Sequence, residues 1–126
     1  MMADAQCLQI NLKRAYEPPA KSDGRRILVD RVWPRGLSKE SLRLHAWMKV
    51  LAPSTQLRKW FGHDPERWEA FKERYDRELD KNPQAVDDLM GECRKGRVTL
   101  VFGAKDTQHN QAVALKAYLE HADRSR

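Results

Sequence analysis

Leu8, Ile10 and Leu12 alternate with Gln9, Asn11 and Lys13, the period-two pattern of a strand with one buried face, so a strand is predicted over roughly 6–13. A turn-rich loop from Pro18-Pro19 to Ser22-Asp23-Gly24 follows. The next segment, Ile27-Leu28-Val29, is an unbroken apolar run of the kind buried on both faces of a parallel sheet, and it reads as a central strand. It continues into Asp30-Arg31-Val32-Trp33, where Pro34 stops it and Gly36 supplies turn freedom. Residues 38–53 carry two periods at once. Leu42, Leu44, Ala46 and Met48 alternate, while Leu44, Trp47 and Leu51 form a helical stripe, so this stretch stays open, with room for a fourth strand within 42–50.

The second half reads as helices around one more strand. Ser54 is a predicted N-cap for a short helix carrying Leu57, Trp60 and Phe61, ended by Gly62. Asp64-Pro65 starts another, because Asp accepts from orphan N–H groups and Pro has no N–H to lose at the first helical position. Along it Trp68, Phe71, Tyr75 and Leu79 form one apolar stripe, read as core. Asn82-Pro83 opens a third helix with Val86, Leu89, Met90 and Cys93 on one face and Gly96 as its stop. Val98 to Phe102 is a second buried-strand run, broken at Gly103-Ala104-Lys105-Asp106. Asp106 or Thr107 is expected to cap a last helix with Ala112, Leu115 and Leu119 inward, and residues after His121 are expected to fray. Strand-to-strand separations too long for hairpins predict a small α/β domain: a mostly parallel sheet of three to four strands covered by helices, in one three-layer unit.

Composition narrows the class. At 126 residues, with 40% hydrophobic and 33% charged residues, the chain fits a single globular domain. No apolar run approaches the ~20 residues of a membrane span, and the start lacks a basic segment followed by an apolar one, so a cytoplasmic chain without a secretory signal is expected. Cys7 and Cys93 have no His or Cys at a metal-ligand interval and read as two buried thiols. The net charge of +6 favours anionic partners.

Ligands of open parallel sheets bind beyond the carboxyl ends of the strands. One strand end delivers Asp30, Arg31, Trp33 and Arg35; the other delivers Lys105, Asp106, His109 and Asn110. Arg31, Arg35 and Lys105 beside the N-terminus of the last helix suit a phosphate or carboxylate. Asp30 and His109 are the candidates to handle a proton, His109 because an unperturbed imidazole titrates near ~6.5. Each also has a structural reading: an Asp30–Arg31 ion pair, an exposed His109, and a Trp33 packed as core rather than stacked on a ligand. Ser54 reads as a cap and not a nucleophile, and His63 as a loop residue. No phosphate-binding Gly-rich loop, nucleophile elbow, His-Glu-x-x-His pair or cofactor signature is present, and no metal site is expected. The alternative is nucleic-acid binding or regulation through Arg14, Lys21, Arg25, Arg26, Arg94, Lys95 and Arg97.

Taken together, Arg26 to Gly36, Ala52-Pro53-Ser54, Trp60 to Pro65 and Leu100 to Asn110 resemble the YeaO-like family of uncharacterised bacterial proteins, domain of unknown function 488, over roughly residues 7–120. The resemblance implies a small cytoplasmic α/β fold. In longer members a Cys-His-Arg stretch stands where this chain has His109-Asn110-Gln111; without that cysteine, thiol chemistry does not carry over. Gln111 also stands where a second His is usual, which weakens a two-histidine mechanism or metal site.

Overall fold

The computed structural model describes residues 8–124. Among the described residues four strands, β1 (Ile10–Arg14), β2 (Arg25–Leu28), β3 (Ala46–Trp47) and β4 (Val98–Phe102), form one sheet in the order β1-β4-β2-β3. All three pairings are parallel: Leu12 and Ile27 flank Leu100, and Ala46 lies opposite Ile27. The helices are α1 (Lys39–Leu42), α2 (Thr55–Phe61), α3 (Trp68–Asp80), α4 (Pro83–Lys95) and α5 (Gln111–Arg124).

Because successive strand residues point to opposite faces, the sheet sorts its apolar residues into two cores of unequal size. Ile27, Val29, Val98, Leu100 and Phe102 pack with Phe71, Tyr75, Leu79, Leu89, Met90 and Leu115, so α2 to α5 build the main core on one face. Leu28 and Val101 face the other way, into a small cluster with Ala15 and Leu42, against which Trp33 and Trp47 pack. The second outer layer is therefore thin, made of α1 and loops.

The fourth strand does lie within 42–50, as the two-residue β3 at the sheet edge. Several boundaries differ from the sequence reading. The strand predicted over roughly 6–13 is described as β1 from Ile10, with Leu8, Ile10 and Leu12 sharing the core side; residues 6 and 7 lie outside the described residues. Cys7 lies outside the described residues; Cys93 is buried on α4, and burial pushes its thiol up to about 11. α5 starts at Gln111, with the cap supplied by Asn110 rather than by Asp106 or Thr107, and it continues past His121 to Arg124.

The connection from β1 to β2 crosses β4 without an α-helix, through one 3-10 turn at Lys21–Asp23, and is stapled by buried polar groups. Arg26 donates to an Asp23 carboxylate oxygen at 2.7 Å and to the Leu42 carbonyl at 2.8 Å, and Lys13 reaches the same carboxylate at 3.1 Å. The Thr99 hydroxyl donates to the Asp23 carbonyl at 2.7 Å. Arg26, grouped on sequence with surface cations, is thus a buried structural residue. Gly24 closes this staple at φ +66°, and a Cβ there would meet the Arg97 carbonyl oxygen at 2.3 Å.

Candidate functional site

The ends of β2 and β4 come together through Asp30. After Val29 donates to the Val101 carbonyl at 3.1 Å, the next side chain reaches past the end of β4, where Gly103 N–H donates to Asp30 Oδ2 at 2.8 Å. A Cβ on residue 103 would stand 2.9 Å from that oxygen, so any other residue there would push the carboxylate aside. The Gln111 side-chain amide donates to Asp30 Oδ1, and the Trp47 indole donates to the Asp30 carbonyl at 2.7 Å. One carboxylate thereby ties β2, β4 and the first turn of α5. Burial raises its pKa above the usual carboxylate range, against the opposing pull of Gly103 N–H, the Arg58 charge and Gln111.

Arg31 makes no ion pair with Asp30. Its guanidinium donates to the carbonyls of Pro53 at 3.1 Å and Ala52 at 3.2 Å, fixing the segment that leads into α2. Ser54 caps α2 by accepting from Leu57 N–H at 3.1 Å, while its own N–H and hydroxyl donate to Glu78 of α3 at 2.8 and 2.6 Å. α2 is thereby anchored at its start and ends at Gly62 in the left-handed region. His63 follows at φ +58°, a conformation uncommon for a side chain of its size and one that marks constrained sites.

These elements enclose a cleft of two contiguous lobes. The first, about 170 Å³, is lined by Phe61, Phe71, Lys59 and His109; the second, about 260 Å³, by Asp30, Arg31, Val32 and Gly103. Pro53, Arg58, His63, Ala104 and Gln111 line both. Arg58 makes no side-chain hydrogen bond or ion pair among the described residues, although its charge acts on Asp30. Lys59 is likewise unpaired.

His109 enters the first lobe from a tight turn built by Asp106. Asp106 Oδ1 accepts from the backbone N–H of Gln108 at 2.9 Å and of His109 at 3.0 Å, and Oδ2 lies 2.9 Å from His109 Nδ1. The Gln108 N–H, then the His109 side chain, hold the Asp106 carboxyl below the usual range. An ionised Asp106 favours a proton on His109 Nδ1, which leaves Nε2 for the cleft. The Trp68 ring meets His109 edge-on at 5.4 Å and sets its tilt.

Asn110 is buried and structural: its carbonyl oxygen accepts from Ala112 and Val113 N–H at 2.9 and 3.1 Å, and its amide donates to the Asp106 carbonyl at 2.8 Å. Asn110→Ala is expected to cost about 0.5–2 kcal/mol through loss of this cap. A urea midpoint indistinguishable from wild type would show that the cap contributes nothing.

Of the residues singled out on sequence, Asp30, Arg31, His109 and Asn110 line the cleft, and Asp106 stands directly behind His109. Three do not line it. Trp33 packs on the opposite sheet face, donating to the Leu37 carbonyl at 2.6 Å and meeting Trp47 edge-on at 5.4 Å. Arg35 is exposed, its carbonyl taken by the Tyr16 hydroxyl, and Lys105 is exposed. The cations that do line the cleft, besides Arg31, are Arg58 and Lys59 of α2, which periodicity alone does not aim at the strand ends. His63, set between Gly62 and Asp64, carried a visible signal in its turn context. A larger groove of about 650 Å³ between α3 and α5 is lined by Glu69, Glu73, Asp76 and Asp80 against the cations Lys72 and Arg124, an excess of negative charge that disfavours an anion. Among the described residues, no group of three or more His, Cys, Asp or Glu could hold a metal ion, and no helix is long and apolar enough to cross a membrane.

The fold and cleft define a small all-parallel α/β domain with a cation-lined pocket at the carboxyl ends of its strands. A family model described as the inactive DUF488-N3 subclade matches residues 9–126, and the chain belongs to that family. It is 42% identical over 112 residues to the uncharacterized protein YeaO of Escherichia coli (strain K12), covering 89% of this chain and 97% of the relative. It is 36% identical over 111 residues to the uncharacterized protein Rv3073c of Mycobacterium tuberculosis (strain ATCC 25618 / H37Rv), covering 88% and 93%. No solved structure matches.

Proposed function

We propose that the cleft is a binding site for a small anion of phosphate or nucleotide type. The observation that carries this reading is Arg58, a guanidinium with no hydrogen-bond or ion-pair partner among the described residues, at the junction of the two lobes. Lys59 and Arg31 add positive charge to either lobe, His63 and His109 supply imidazoles, and Phe61, Phe71 and Pro53 give the first lobe an apolar wall for the body of a ligand. The family's description as an inactive subclade favours binding over turnover. Asp30 and His109 then act as hydrogen-bonding groups rather than as a catalytic pair.

The nucleic-acid reading has less support, because most of its cations are already engaged. Arg25 and Lys95 pair with Glu92 at 3.2 and 3.5 Å, Arg94 with Asp123 at 3.3 Å, and Arg26 with Asp23. Arg97 donates to the Ser22 carbonyl, and Arg14 to the carbonyls of Ala104 and Gly103. A thermal-shift series with inorganic phosphate, ribose 5-phosphate and nucleoside monophosphates tests the proposal. A ligand that binds only the folded chain stabilises it by about 2.7 kcal/mol at a hundred times its Kd, so a saturable rise in melting temperature is expected. No rise with any anion, together with oligonucleotide binding that falls steeply with salt, would favour the alternative.

A further inference from the structure

We propose that Asp30 makes this cleft selective for anions that carry hydroxyl or amine donors beside their charge, a phosphorylated sugar or nucleotide rather than a bare phosphate. The inference rests on the reading of the cleft as an anion site and goes on to name what else the ligand must present.

An ionised carboxylate only accepts hydrogen bonds, at about four lone-pair positions on two oxygens. In Asp30 each oxygen takes one protein donor, Gly103 N–H at Oδ2 and the Gln111 amide at Oδ1, and the residue lines the second lobe. What remains of its accepting capacity faces that lobe, and only an N–H or O–H can fill it. Gln111 adds to this wall. Its amide nitrogen is committed to Asp30, so its carbonyl oxygen, which takes no hydrogen bond from the described residues, is a second acceptor on a residue lining both lobes.

A bare phosphate drawn to Arg58 would meet the Asp30 charge, since the two side chains act on one another electrostatically. A phosphate monoester with hydroxyls on the adjoining carbons resolves this conflict, because its anionic end meets Arg58 while its hydroxyls meet Asp30. The carboxylate is held in place from two sides. Gly103 N–H and Gln111 hold both oxygens.

The test is isothermal titration of the full chain at constant ionic strength with two monoesters of equal charge, ribose 5-phosphate and methyl phosphate. Wild type is expected to prefer ribose 5-phosphate at least about tenfold, the worth of one to two hydrogen bonds to a charged group. In Asp30→Asn, which keeps the size and removes the charge, that preference is expected to fall within about threefold, while methyl phosphate binds as well as or better than to wild type. Equal affinity of wild type for the two monoesters overturns the inference even if the variant does not fold, and a preference unchanged in a folded Asp30→Asn protein overturns it as well. Either result with methyl phosphate still bound leaves the anion site standing. Binding of neither monoester overturns both.

Discussion

Arg58→Ala is expected to weaken ribose 5-phosphate binding by roughly ten- to hundredfold, as loss of hydrogen bonds to a charged partner does, while the melting temperature stays within a few degrees of wild type. The two halves of this expectation have one cause. Arg58 is exposed on α2 and has no hydrogen-bonding or ion-paired partner among the described residues, so its removal costs the fold little, as surface substitutions usually do. Its charge also acts on Asp30, which Arg58 helps to keep ionised; the alanine protein therefore also has a weaker acceptor in the second lobe. Titration calorimetry and thermal melting on the same preparations check both halves. Unchanged affinity would remove Arg58 from the site, and a large fall in melting temperature would assign it a structural role instead.

Arg26→Ala should have the largest effect on stability, about 3–5 kcal/mol, the cost of stranding a buried charge by removing its partner. Arg26 bridges the Asp23 carboxylate and the Leu42 carbonyl, and both it and Asp23 are nearly inaccessible. Truncation leaves Asp23 with Lys13 alone among charged partners in the described residues and loosens the connection from β1 to β2. Urea denaturation measures the loss, and a change below about 1 kcal/mol would mean that water replaces the guanidinium without penalty. The same carboxylate gives stability a pH dependence. Burial pushes the Asp23 pKa up, but the Ala20 N–H, Lys13 and Arg26 outweigh it and leave the pKa lowered. A folded-state pKa below the unfolded value stabilises at pH values above the ordinary carboxylate range, near ~3.9, and that stabilisation is lost as pH falls through the lowered value. Asp23→Asn should lack this acid-limb slope.

Much of the scaffold was legible in the sequence because its signals were local. The Ser54 cap, the Gly62 stop, the Asn82-Pro83 start and the Val98–Phe102 run all depend on neighbouring residues, and each stands where expected. β3 was harder, since two residues at a sheet edge carry too few alternations to outvote a helical stripe through the same segment. The cap of α5 was misplaced for a related reason: Asp106, Thr107 and Asn110 are all competent caps, and Asp106 is spent on the turn that holds His109.

The site was legible in outline only. Asp30 and His109 do approach one cleft because both follow strand ends in a parallel sheet. The cations were assigned by their proximity in sequence to those ends, and tertiary packing rearranged them. Arg31 turned to the Ala52 and Pro53 carbonyls, Arg35 stayed in solvent, and Arg58 came from a helix whose position depends on the bonds between Ser54 and Glu78. No spacing within α2 records a contact made 24 residues away.

The central claim, an anion site at the strand ends built around Arg58, is tested most directly by following the backbone amide resonances of isotopically labelled protein during titration with ribose 5-phosphate. Saturable shifts are predicted at Arg58, Lys59, His63, Gly103, His109 and Gln111, with those residues leading the response and α4 silent. Shifts concentrated instead at Arg94, Lys95 and Arg97, or no shift at all at millimolar ligand, would contradict it.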